Sequence, residues 1–117
     1  LSITLWLNSA KKFMSELSQS NWTTQLESDS KSVILDVRTD QEVEEGIIPK
    51  ALHINIYKGQ EFISELEKLD KTLSYYVYCR SGNRSGQACS IMQKMGFEST
   101  FNLVGGLQEW TGATITP

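Results

Sequence analysis

The sequence predicts a three-layer α/β fold, a mostly parallel central sheet flanked by helices on both faces. Two runs of strand length, Val33-Ile34-Leu35 and Tyr75-Tyr76-Val77-Tyr78, are continuous rather than alternating, as in strands covered on both sides. Such runs alternate along the chain with segments of helical periodicity. The length of 117 residues fits one domain with a real core.

The elements follow in order. Ala10, Phe13, Met14 and Leu17 recur at helical spacing and predict a helix over residues 8–18, so residues 1–19 read as an N-terminal helical extension and 20–117 as the domain proper. A short second helix, starting near Asn21, holds Trp22 and Leu26. Val33 to Val37 forms the first buried strand. Thr39-x-x-Glu42 is a capping box, so a short helix starts at Asp40 and stops at Gly46. Leu52, Ile54 and Ile56 alternate with His53 and Asn55, as in a half-exposed strand. Phe62, Ile63, Leu66 and Leu69 mark an amphipathic helix, and Tyr75 to Tyr78 the second continuous strand. Ala88, Ile91, Met92 and Met95 mark a helix ending at Gly96, Phe101 and Leu103 a strand, and Gly105-Gly106 opens a last short helix carrying Leu107 and Trp110.

Composition narrows the functions. A hydrophobic share of 39% and a charged share of 21% are globular. A net charge of −3 argues against a nucleic-acid surface. The only histidine, His53, reads as structural or surface, and with two cysteines it makes no metal site; no cofactor is expected. Cys79 and Cys89 form neither a disulfide framework nor a Cys-x-x-Cys pair. The apolar start, Leu1 to Leu7, is too short for a membrane span and precedes the basic pair Lys11-Lys12, the wrong order for a secretory signal. A cytoplasmic location is expected. Residues 71–97 hold Lys71, Arg80, Arg84 and Lys94 and no acid, a positive stretch in an acidic chain that points to a small anionic ligand.

Cys79 lies where that stretch meets the end of a strand, the place where parallel α/β sheets bind ligands. A cysteine in a strand is most often a small apolar residue. This one is followed by Arg80, Ser81, Gly82, Asn83, Arg84 and Ser85, a polar loop leading into a helix. Such a loop can turn successive backbone N–H groups inward as an anion-binding nest, aided by the helix N-terminus and the two arginines. A thiolate there is favoured directly, without a histidine base. Cys89, beside Ala88 inside a helix, reads as core, with a resolving thiol as its alternative.

Four segments together resemble the rhodanese-like sulfurtransferases, over about residues 20–112: Ile34-Leu35-Asp36-Val37-Arg38; Glu45-Gly46-Ile47-Ile48-Pro49-Lys50-Ala51; Val77 through Ser85; and Leu103-Val104-Gly105-Gly106-Leu107-Gln108-Glu109-Trp110. Ile47 and Lys50 depart from the family's Gly-His-Ile-Pro-Gly-Ala turn. The resemblance implies the rhodanese-like fold and a sulfurtransferase mechanism. The Cys79 thiolate attacks the outer sulfur of thiosulfate or another persulfide donor, becomes a persulfide, and yields the sulfur to an acceptor such as cyanide, glutathione or thioredoxin. Cys79 is then catalytic, and Arg80 through Ser85 bind the donor and cradle the persulfide. Asp36 and Arg38 organise the domain by ion pairing, Arg38 with Glu42 being one expected pair.

Three alternatives stand beside this reading. A phosphatase or arsenate reductase on the same fold also pairs Cys with Arg, but its loop places the Arg one position later; here Arg84 is five positions after Cys79 and position 85 is Ser. A non-enzymatic interaction domain is the second. A persulfide carrier serving a protein partner is the third.

Overall fold

The computed structural model describes residues 15–117. Five parallel strands form one sheet in the order β1-β5-β4-β2-β3: β1 (Ser15–Leu17), β2 (Ser32–Asp36), β3 (Leu52–His53), β4 (Ser74–Tyr78) and β5 (Ser99–Leu103). The helices are α1 (Gln19–Ser28), α2 (Asp40–Glu44), α3 (Gln60–Glu67) and α4 (Asn83–Lys94), with 3-10 turns at Ile56–Lys58 and Leu107–Glu109.

The central strands divide their side chains between two cores, as strand geometry requires. Tyr75, Val77 and Cys79 face α3 and α4 with Leu35, Val37, Phe62, Leu66, Ala88, Cys89 and Met92. Tyr76 and Tyr78 face the other way, against Trp22 of α1, Ile48 and Leu103. Trp22 packs edge-on to Tyr76, Tyr78 and Trp110, with ring centroids 5.8, 6.4 and 5.7 Å away, and its indole N–H donates to the Phe101 carbonyl at 3.1 Å.

Several expectations need correction. Residues 15–17 are an edge strand, not the end of a helix; residues 8–14 lie outside the described residues. The Val104 N–H donates to the Leu17 carbonyl at 2.9 Å, and strand pairing to β5 overrides the local helical spacing. Ser15–Leu17 thus belong to the sheet among the described residues. α1 begins at Gln19, two residues before Asn21, because the Ser18 hydroxyl accepts from the Asn21 N–H. β3 is only two residues long: the Asn55 side chain accepts from the Tyr57 N–H and turns the chain into a 3-10 helix. The capping box at Thr39 and Glu42 forms as read. Lys50 takes a left-handed backbone, φ 71°, a conformation strained for a residue with a side chain. Among the described residues, no helix is long and apolar enough to cross a membrane.

Asp36 and Arg38 tie β2 to the turn after α2. The Asp36 carboxylate, fully buried, accepts from the Arg38 backbone N–H at 2.9 Å and from Nε and Nη2 at 3.1 and 2.8 Å. Arg38 then donates to the main-chain carbonyls of Glu42 and Gly46 at 3.3 and 2.6 Å. The expected ion pair of Arg38 with Glu42 does not form, because the Glu42 carboxylate is engaged elsewhere.

Candidate active site

β4 delivers Cys79 to the carboxyl edge of the sheet, and α4 starts four residues later. The loop between them closes on the sulfur. The Gly82 N–H donates to Cys79 Sγ at 3.0 Å and the Ser85 hydroxyl at 3.3 Å. Burial by itself pushes the Cys79 thiol up; the Ser85 hydroxyl and the N–H groups of Ser85, Gly82 and Ser81 outweigh it and hold the thiol below its ordinary value. Cys79 and Ser85 are buried, while Ser81 and Asn83 are exposed. Cys89 is different. It lies in the core, where burial pushes its thiol up to about 12.

The two arginines part company. Arg84, in the first turn of α4, is forked onto Glu42, with Nη1 to Oε1 at 2.7 Å and Nη2 to Oε2 at 2.9 Å. Its guanidinium carbon Cζ lies over the Tyr57 ring, 5.5 Å from the centroid. Arg80 is exposed and forms no ion pair among the described residues. It lines a cavity of about 210 Å³ with Arg38, Glu42, Glu45, Leu107 and Gln108. The positive stretch seen along the chain is therefore partly neutralised in space, and Arg80 is left as the free charge at the rim.

Glu42 serves two elements. Its Oε1 accepts from the Thr39 backbone N–H at 3.1 Å, completing the cap of α2, while both oxygens hold Arg84. The Arg84 hydrogen bonds, followed by opposing desolvation and then the Thr39 bonds, lower its carboxyl from 4.5 to about 2. A carboxyl lowered on folding stabilises the fold above its unfolded value and loses that contribution as pH falls through the folded value. The Glu42 contribution is thus whole above pH 4.5 and fades down to about 2. Glu42→Gln is expected to lower stability at pH 7 by about 1–2 kcal/mol and to flatten the acid limb of a urea-unfolding series over that window. An unchanged acid limb contradicts the assignment.

The loop is also held from behind by a segment whose role the sequence reading left open. The N–H of Leu107 donates to the Cys79 carbonyl at 2.9 Å, and that of Gln108 to the Arg80 carbonyl at 3.0 Å. Gly106 makes the approach possible: a methyl group on it would lie 2.5 Å from the Arg80 carbonyl oxygen and 2.7 Å from that of Cys79. Asn102 of β5 donates to the Gly82 carbonyl at 3.0 Å. A polar residue in a buried strand was the one available signal for it.

Comparison with known proteins places the chain in a family. A family model described as the rhodanese-like domain matches residues 19–113. "Putative sulfurtransferase YtwF" of Bacillus subtilis (strain 168) is 39% identical over 99 residues, covering 85% of this chain and 92% of that one. "Putative sulfur carrier protein YrkF" of the same organism is 36% identical, but the chain spans only 52% of its length. "Thiosulfate sulfurtransferase GlpE" of Coxiella burnetii (strain RSA 331 / Henzerling II) is 37% identical over 67% of this chain and 70% of its own. Among solved structures, a rhodanese-like domain protein from Staphylococcus aureus superposes with a TM-score of 0.76 at 26% identity, over 89% of this chain and 99% of that one. The chain belongs to the rhodanese-like domain family, and carries that family's fold around a cysteine loop.

Proposed function

We propose that this protein is a sulfurtransferase that moves sulfane sulfur from thiosulfate, or another persulfide donor, to a thiophilic acceptor through a persulfide on Cys79. One observation carries the reading: Sγ of Cys79 is the focus of the loop's N–H groups and the Ser85 hydroxyl. The thiolate attacks the outer sulfur of thiosulfate; the bond between that sulfur and the central sulfur breaks, and sulfite leaves with the electron pair. Cys79 then holds a persulfide anion of the same charge as the starting thiolate. A cyanide ion or a thiolate such as that of glutathione or thioredoxin takes the terminal sulfur and restores Cys79. No external oxidant or reductant enters.

The loop residues divide the work. The N–H groups of Ser81, Gly82 and Ser85 and the Ser85 hydroxyl stabilise sulfur charge before and after transfer. Arg80 meets the sulfite end of the donor, and Arg84 contributes field from its ion pair with Glu42. The tie of Arg84 to Glu42 also disfavours the phosphatase reading, which needs a forked arginine free for an oxyanion.

Steady-state kinetics test the scheme. With thiosulfate and cyanide, double-reciprocal plots are expected to be parallel, the mark of a covalent intermediate. Arg80→Ala is expected to raise the thiosulfate KM by roughly tenfold, the effect of one lost charge-assisted contact, while Lys94→Ala leaves it unchanged. Intersecting lines contradict the persulfide, and equal KM changes contradict the role of Arg80. The name of the relative YrkF favours a second version, a persulfide carrier discharged by a protein thiol. That version keeps the loading step and predicts slow discharge to cyanide.

A further inference from the structure

The helix-facing side of β5 carries two polar side chains, Thr100 and Asn102, each 1% exposed. A buried carboxamide costs stability unless its atoms are hydrogen-bonded. Asn102 satisfies only part of that demand. Its Nδ2 donates to the Gly82 carbonyl at 3.0 Å, while its Oδ1 finds no partner among the described residues. Gly86 of α4 packs beside it; a methyl group there would lie 3.4 Å from Nδ2, about van der Waals contact. A buried, half-satisfied amide is thus held for one contact, that with the Gly82 carbonyl.

That contact lies next to the sulfur. Gly82 has φ 104° and no side chain, so it is the loop residue with the most backbone freedom. Its N–H reaches Cys79 Sγ at 3.0 Å. Its carbonyl accepts from the Gly86 N–H at 3.1 Å within the helix and from Asn102 across to the sheet. The helix bond moves with the helix; the Asn102 bond ties Gly82 to a central part of the fold.

We infer that Asn102 is a positioning residue for the Cys79 centre: by fastening the Gly82 carbonyl to β5, it keeps the Gly82 N–H aimed at the sulfur. For the thiolate this stands on geometry alone; for the persulfide it rests on the sulfur-transfer reading above. Asn102, buried behind the loop, acts through Gly82.

The test uses the full chain and reads the thiolate without requiring sulfur transfer. The rate of Cys79 alkylation by iodoacetamide is followed against pH in the wild type, Asn102→Leu and Thr100→Val. The deeply buried Cys89 serves as a silent background, checked by peptide mapping. Asn102→Leu is expected to move the midpoint up by about half to one pH unit, the scale of one lost hydrogen bond. It is also expected to slow sulfur loading from thiosulfate several-fold at pH 7. Thr100→Val, equally buried on the same face but away from the loop, is expected to keep the wild-type midpoint whatever it does to the melting temperature. Should Asn102→Leu fail to fold, Asn102→Ser, whose hydroxyl is too short to reach Gly82, is expected to shift the midpoint in the same direction. An unshifted midpoint in the Asn102 variants overturns the inference, as does an equal shift in Thr100→Val. A shifted midpoint with no sulfur loading even in the wild type upholds the positioning role and refutes sulfur transfer.

Discussion

Gly106→Ala is expected to reduce sulfur loading of Cys79 by about 100-fold or more and to cost roughly 2–4 kcal/mol of stability, through backbone strain and two lost hydrogen bonds. Gly106 has φ 58° and ψ −160°, a region that side chains avoid. The added methyl would meet the Arg80 carbonyl carbon and oxygen at 2.5 Å, and these are main-chain atoms that cannot swing aside. Relief comes only by separating the Gly105-Gly106 turn from the loop. That breaks the bonds from Leu107 and Gln108 to the carbonyls of Cys79 and Arg80. Gly59→Ala is the matched control. Gly59 also has positive φ, 59°, but a methyl there has nothing within 4 Å. It is expected to lose stability and retain loading. Comparable loading in the two variants contradicts the idea that the Gly-Gly turn braces the active loop.

The second large effect lies in the fold. Asp36→Ala leaves the Arg38 guanidinium buried without its carboxylate, since the two side chains are only 0% and 5% exposed. Removing one member of such a pair costs about 3–5 kcal/mol, a large part of the stability of a domain this size. The melting temperature is expected to fall by about 10–20 °C. Replacing both, as Asp36→Leu with Arg38→Met, is expected to recover a good part of that loss, because the penalty comes from the stranded charge rather than from the missing bond. A fall of only a few degrees in Asp36→Ala contradicts the assignment of Asp36 and Arg38 as the internal tie between β2 and the turn after α2.

What was legible in the sequence was what local pattern encodes. β2 and β4 are covered by helices on both faces, so their apolar residues run without interruption and announce central parallel strands. The cap of α2 was legible because Thr39 and Glu42 bond to each other's backbone three residues apart. The Cys79 loop could be read because strand, cysteine, polar loop and helix are contiguous. What could not be read was held together across long intervals. β1 has no strand character of its own; its three residues are extended because β5 offers a free edge. β3 shortens because Asn55 turns the chain, although Ile54 and Ile56 keep the alternation.

The same division runs through the site. Glu42 was visible as a cap, but its grip on Arg84 joins residues 42 positions apart and appears only when α2 and α4 come together. The linear charge map counted Arg84 as free for that reason. Asn102 shows only as a polar residue in a buried strand, and Gly106 only as part of the Gly-Gly segment; neither pattern says which atoms they hold. Both act on the loop through main-chain carbonyls, which sequence patterns do not display.

The proposed passage of sulfur through Cys79 is tested most directly by the intact mass of the protein after incubation with thiosulfate. One adduct of about 32 Da is expected, a single sulfur from one attack by one thiolate. Dithiothreitol or cyanide is expected to remove that adduct, which is absent in Cys79→Ser and persists in Cys89→Ser. An adduct retained in Cys79→Ser, or none formed from thiosulfate or any persulfide donor, contradicts it.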